Sequence, residues 1–239
     1  MFAQTSILAI FPSLIFFMVL LSGCTTTHTQ FLSQHWVEQQ PPSQLVSINT
    51  RSARLQVIIT YQGLLSSHSA LRLESFTDDA IFWDPAGAYG LVGTFTNPQG
   101  KKIFPYGRRE RDIVMTHIPD IPTYMKFRWY VGDSSVEVFE WDVPAQQLEA
   151  LKEVLLREAD ETHPKGVFQT KAPPAFCSIA ISDFLQRFAV PIMTLNDTYL
   201  WPHNLGEALL DQSPSRVRVF FPNRNERIFT PPPSLVAQP

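Results

Sequence analysis

The sequence predicts an α+β domain in which an antiparallel sheet is packed with helices. Between Arg54 and Asp84 apolar residues alternate with period two, and from Pro144 onward they recur at the three-to-four spacing of a helix. Strand signals come first and helix signals later, an order that suits an antiparallel sheet better than alternating βαβ units.

Taken in order, Arg54 to Tyr61 (RLQVIITY) sets Leu55, Val57, Ile59 and Tyr61 on one face of a strand. Two short strands follow, His68 to Glu74 and Ala80 to Asp84, separated by the turn-like SFTDD. The insertion from Gly87 to Tyr124 is punctuated by glycine and too irregular to yield an element. Lys126 to Val131 and Val136 to Asp142 read as a hairpin about Gly132-Asp133, a turn dipeptide between β-branched and aromatic residues. The period then changes: Pro144 to Asp160 places Leu148, Leu151, Val154 and Leu155 on one side of a helix, with proline in the first turn where its missing N–H is harmless. A second helix opens near Phe176 behind Pro173-Pro174, with Ile181, Phe184, Leu185 and Phe188 as its stripe. Arg216 to Phe221 completes the sheet as a last strand.

The apolar run from Ile7 to Leu21, broken by Pro12 and Ser13, falls short of the roughly 20 residues that cross a bilayer. It reads as a signal-peptide core. Directly after it, Leu21-Ser22-Gly23-Cys24 resembles the lipobox of bacterial lipoproteins, although no Lys or Arg precedes it. That resemblance implies that residues 1–23 are a signal peptide and that the Cys24 sulfur carries a diacylglyceryl group. Thr25, where an Asp would signal inner-membrane retention, implies an outer-membrane address in the cell envelope, facing the periplasm. Acyl chains on one residue anchor a protein stably without a transmembrane helix. On this reading residues 24–47 are a polar membrane tether, 48–227 one domain, and 228–239 a Pro-rich tail.

A net charge of −3, from 19 basic and 22 acidic residues, leaves no electrostatic footprint for nucleic acid. The run Arg108-Arg109-Glu110-Arg111-Asp112 is mixed in sign and reads as a solvated loop. The sequence contains no His-Glu-x-x-His, Cys-x-x-Cys or acidic calcium-loop spacing, no Gly-x-Ser-x-Gly elbow and no phosphate-cradling loop, so no metal and no cofactor is expected.

The chain has two cysteines. Lipidation of Cys24 would leave Cys177 without a disulfide partner, and an odd thiol in an exported protein calls for an explanation. Cys177 falls in the first turn of its helix, where unpaired N–H groups and the positive end of the helix dipole favour a thiolate. A buried free cysteine that merely packs is the alternative. Of the six histidines, His28 and His35 fall in the tether, His117 and His203 in loops, and His163 just after a helix. Only His68 opens a strand. If the next two strands pair about a turn centred near Phe76, His68 stands opposite Asp84 on the same face, with Cβ atoms about 5 Å apart. The carboxylate would then hold the imidazole for the thiol, unless Asp84-Pro85 simply begins a turn. Glu74, six residues along the strand and roughly 20 Å away at about 3.3 Å per residue, is too far.

SHSALRLE, FWDPAG and a Cys at the head of a late helix in FCSIAISDFL together resemble the circularly permuted, papain-like NlpC superfamily of the YaeF/YiiX type. The likeness runs from about Arg54 to Leu210 and includes WPHNLGEALL, similar to a Pro-x-x-Leu segment behind the Cys helix. Ser67 stands where the family has glycine, and the 87–124 insertion is long. The resemblance implies a permuted papain-like fold, Cys177 as nucleophile, His68 as base, Asp84 as orienting residue, and a thioacyl intermediate in amide or ester cleavage. The Cys177 amide would bind the oxyanion. Tyr61 offers a further hydroxyl donor, or packs as an aromatic at a strand end. Three functions stay open: an envelope cysteine hydrolase cutting an amide in a peptidoglycan peptide, an enzyme with the same chemistry on lipid acyl groups, and a non-enzymatic lipoprotein on a decayed enzyme fold.

Overall fold

The structure, a computed structural model, describes residues 27–39, 53–62, 66–75, 80–85, 113–115, 121, 124, 125, 128, 135–157, 159–162, 167–170, 176–222 and 226–232. The chain runs α1 (Thr27–His35), β1 (Val37–Gln39), β2 (Ala53–Gln62), β3 (Ser66–Glu74), β4 (Ala80–Asp84), β5 (Ile113–Met115), β6 (Ser135–Val143), α2 (Ala145–Arg157), β7 (Ala159–Thr162), β8 (Val167–Thr170), α3 (Cys177–Phe188), α4 (Pro202–Leu210), β9 (Arg216–Phe220) and β10 (Arg227–Thr230). Among the described residues the ten strands form one sheet in the order β1-β10-β9-β6-β2-β3-β4-β5-β8-β7, with every pair antiparallel. The protein is thus mixed α+β, as its periods predict.

β2 lies between β3 and β6, with Val57 facing Leu71 on one side and Phe139 on the other. Because side chains alternate, the odd-numbered residues of these strands share one face. That face carries the apolar core: Leu55, Val57, Ile59, Leu71, Trp83 and Phe139 pack with Leu148, Leu151 and Leu155 of α2, Ile181, Phe184 and Leu185 of α3, and Leu205 and Leu209 of α4. The Trp83 and Phe184 rings meet edge to face at 5.5 Å. Burying each such side chain is worth about 1.5–3 kcal/mol, so α3 is fixed on β3 and β4 chiefly by these contacts. The even-numbered face is covered as well, where Tyr124 lies 4.7 Å from Phe82, centroid to centroid.

Several expectations are corrected. Thr27–Gln39 is not tether but a helix and an edge strand: Leu32 is buried in the core and Val37 pairs with Thr230. The polar composition of this segment hid two apolar anchors, Leu32 and Trp36, spaced one helical turn apart. The tail is structured at its start, since Ile228 to Thr230 belong to β10. Arg128 is helical where a hairpin arm is expected, and the rest of Lys126 to Val131 lies outside the described residues; among these, β6 pairs with β2 and β9. Helix α2 ends at Arg157, and Ala159–Thr162 leaves it for a ladder with β8, because strand pairing overrides the helical period there. β5 forms within the 87–124 insertion. Residues 1–26 and 40–52 lie outside the described residues, and no described helix is long and apolar enough to cross a membrane.

Candidate active site

β3 and β4 pair with Leu71 opposite Trp83 and Glu74 opposite Ala80. Continued one step, this register sets Asp84 opposite Ala70, not His68. The turn is therefore centred one residue later than the sequence suggests, which shifts the ladder by two. A shift of two keeps every side chain on its face, so His68 and Asp84 remain diagonal neighbours within reach of each other. His68 Nε2 and Asp84 Oδ1 are 2.5 Å apart, with the carboxylate wholly buried and the imidazole 12% exposed.

The pairing of β3 with β4 begins only at Leu71. Pro85 lacks an N–H and cannot extend the ladder toward Ser69. The gap beyond β4 is where the head of α3 arrives: Cys177, buried and with its thiol free, contacts His68 and Ser69. Ser69 belongs to the odd-numbered, helix-covered face and His68 to the other, so the thiol reaches both only because β4 has stopped. Ser178, next in the helix, donates from Oγ to Leu200 O at 2.7 Å and so caps nothing. Phe176, at the N-cap position, supplies no side-chain cap either.

The electrostatics follow from this geometry. Burial by itself would raise the Cys177 thiol, but the charge and hydrogen bond of His68, helped by the side chain and backbone of Ser69, outweigh it and bring the pKa down to about 7. The buried Ser69 hydroxyl favours the thiolate without completing a hydrogen bond of good geometry, so we assign the main effect to His68. For His68, burial pulls downward, yet the Asp84 carboxylate, the Cys177 thiolate and the hydrogen bonds to both raise the pKa to about 9. With Nε2 held by Asp84, Nδ1 is the nitrogen left to serve the thiol. Between those two values the pair exists as thiolate and imidazolium, a nucleophile with its proton donor in place.

Tyr61 is not part of this arrangement. It lies on the opposite sheet face from His68, and its hydroxyl donates to Glu137 Oε2 at 2.8 Å. Burial, and next the Glu137 charge and hydrogen bond, push its pKa well above the ordinary value. In this conformation the phenol's hydrogen is engaged by Glu137. Cys24 lies outside the described residues. Two contributors escaped the sequence reading. Ser69 gave no signal, since its role depends on where the pairing of β3 with β4 stops. Arg128, whose Nη2 donates to Thr60 Oγ1 at 2.9 Å, carried no signal, although Thr60 stands directly opposite His68. Among the described residues no three His, Cys, Asp or Glu side chains converge as a metal-ligating group.

A buried Cys-His-Asp series on an α+β frame defines, chemically, a site able to hold a stabilised thiolate. No family model matches the chain, and neither a curated protein nor a solved structure does.

Proposed function

We propose that this chain is a cysteine hydrolase of the bacterial cell envelope, anchored by lipid on Cys24 and cleaving an amide bond in a peptide, with peptidoglycan stem or cross-link peptides as the substrate class. A single observation carries the reading: a buried free thiol at a helix start beside an imidazole whose Nε2 lies 2.5 Å from a buried carboxylate, an arrangement that lowers the thiol to about 7 and raises the imidazole to about 9. A cysteine that merely packs needs none of this, and burial alone would drive it the other way. The strand bearing the base precedes the helix bearing the nucleophile, an order that supports a circularly permuted papain-like fold.

In this mechanism Cys177 Sγ attacks the carbonyl carbon and the C=O electron pair moves to oxygen. The oxyanion meets the Cys177 backbone N–H at the uncapped helix start. His68 Nδ1 delivers its proton to the departing amine as the C–N bond breaks, leaving a thioester on Cys177 and a neutral imidazole. Water, losing its proton to His68, then attacks the thioester, which releases the acid and restores the thiolate. Asp84 keeps the ring oriented through both halves. The test is the pH dependence of Cys177 alkylation by iodoacetamide, followed by turnover of muropeptides. A labelling rate that rises through pH 7 and depends on His68, with release of a peptide fragment, is the expected result. An ordinary thiol profile indifferent to His68 overturns the reading.

A further inference from the structure

Among the described residues, three large apolar side chains are left exposed beside the nucleophile: Phe176 at 64%, Leu200 at 46% and Trp201 at 55%. Phe176 immediately precedes Cys177. The segment bearing the other two is fastened to the same helix end, since Ser178 Oγ donates to Leu200 O and Tyr199 N–H donates to Ser182 Oγ at 2.9 Å. No Asp, Glu, Lys or Arg occurs from Pro173 to Ser182 or from Thr198 to Gly206. Among the described residues, these two segments therefore set large apolar side chains and no Asp, Glu, Lys or Arg beside the thiol, a kind of surface that marks an interaction site.

The way the chain enters the domain indicates the occupant. Only Trp36 separates α1 from β1, yet Leu32 of α1 is buried in the core. A helix one residue ahead of a strand reaches the core only by folding back along that strand. β1 runs toward the catalytic end of the sheet: Val37 lies in the cross-strand row of Arg72, and Gln39 in the row of Ala70, two residues nearer His68. The folded-back helix thus begins at that same end. In agreement, Ser33 Oγ accepts from Arg227 Nη2, and Arg227 lies in the row of Ser69. Cys24 is three residues before Thr27, hence within about 10 Å of it even when fully extended.

We infer that this end of the molecule rests on a phospholipid bilayer, with Phe176, Leu200 and Trp201 in the interfacial layer and the thiol opening at the lipid-water boundary. The inference rests on reading Cys24 as the lipid-bearing residue, which brings the bilayer to the catalytic end. Tryptophan is favoured at headgroup depth, and apolar side chains beside a lipid anchor add to its hold. The bound molecule would act on substrate presented at the membrane surface.

The test uses the full chain reconstituted into vesicles of phosphatidylcholine brominated on its acyl chains, compared with Trp201→Phe. The chain has five tryptophans and the substitution changes one of them. The expected result is loss of part of the wild-type emission to brominated lipid, absent in Trp201→Phe, with little quenching of that component by aqueous iodide. A Trp201 component open to iodide but untouched by brominated lipid overturns the docking, as does one shielded from both, or failure of the chain to stay with the vesicles. The mass of the N-terminal peptide reads the anchor separately. An unmodified Cys24 with lipid-quenched Trp201 keeps the docking and sinks the anchor; a lipidated Cys24 with iodide-quenched Trp201 does the reverse. Alkylation of Cys177 in the same samples reports the hydrolase chemistry independently of both.

Discussion

Two buried polar rows cross the even-numbered face of the sheet four residues apart, and only one of them can change its charge near neutrality. In the first, Arg72, Gln56, Glu140 and Arg216 stand side by side on β3, β2, β6 and β9. Arg72 Nη1 donates to Gln56 Oε1 and Gln56 Nε2 to Glu140 Oε1, each at 2.7 Å, while Arg216 and Arg218 both close on the Glu140 carboxylate. Burial would raise the Glu140 pKa, but Arg218 and Arg216 overcome it and lower it; Arg218, in turn, is raised. The Glu140 charge is thereby held in place. The second row holds His68 and Thr60, with Asp84 diagonal and Cys177 arriving from α3. Here the single carboxylate holds an imidazole, which in turn meets a thiol, and their pKa values of about 9 and about 7 bracket a usable range. The lesson is that burial of charge is common to both, and that the choice of His and Cys over Arg makes one of them reactive.

The sharpest way to break this comparison is Cys177→Ala. It should lower turnover on the order of 10⁴-fold while costing only the modest stability that the thiolate–imidazolium pair contributes, as read by scanning calorimetry. A large loss of stability would instead mark Cys177 as a core residue.

Glu140→Gln should do the converse. It leaves Arg216 and Arg218 facing a neutral amide and costs about 3 kcal/mol, the low end for breaking a buried pair, because both guanidinium groups keep some contact with water and Arg218 keeps Glu226. The sign with pH follows from the lowered Glu140 value: the stabilisation is present above the ordinary carboxylate range and is lost as pH falls through the folded-state value. Urea unfolding of wild type should weaken in acid more steeply than that of Glu140→Gln, whereas Cys177 alkylation should be the same in both.

What was legible in the sequence divides along similar lines. The core face of β2, the stripe of α2 and the stripe of α3 could be read because burial repeats with a fixed period. His68, Asp84 and Cys177 could be brought together because a strand keeps its face even when the register slips by two, as it does here. Contributions that depend on where a neighbour stops could not be read: Ser69 matters only because β4 ends at Asp84. Nor could elements whose stability is wholly tertiary, such as α1 and β1, where two apolar residues among polar ones decide the packing, or Arg128, which reaches Thr60 from a segment that looks like a strand.

His68→Ala tests the reactive row directly. Without the imidazolium only burial and the weaker Ser69 contacts act on the thiol, so its pKa should return toward the ordinary value of 9.0. At pH 7 the thiolate fraction, and with it iodoacetamide labelling, should fall about 50-fold, and the rise in rate should move toward pH 9. An unchanged profile would place the source of activation in the helix start and not in the histidine.

The smallest effect, and the most informative, belongs to Asp84→Asn. The carboxylate is not in contact with the sulfur; it acts by holding the imidazolium that in turn holds the thiolate. Its raising effect on His68 means that the histidine contributes stability fully present below its ordinary value of 6.5 and lost as pH rises through about 9. Cys177, lowered, contributes stability present above its ordinary 9.0 and lost as pH falls through about 7. The reactive pair therefore exists between those limits, giving turnover an acid limb near 7 and an alkaline limb near 9 that belong to the pair as a whole. Replacing Asp84 by Asn should draw the alkaline limb downward and the acid limb upward, narrowing the profile from both sides. If the thiol rises by about one pH unit, labelling at pH 7 drops about fivefold. A profile that shifts bodily, without narrowing, would mean that Asp84 only shapes the strand end and does not act through the imidazole.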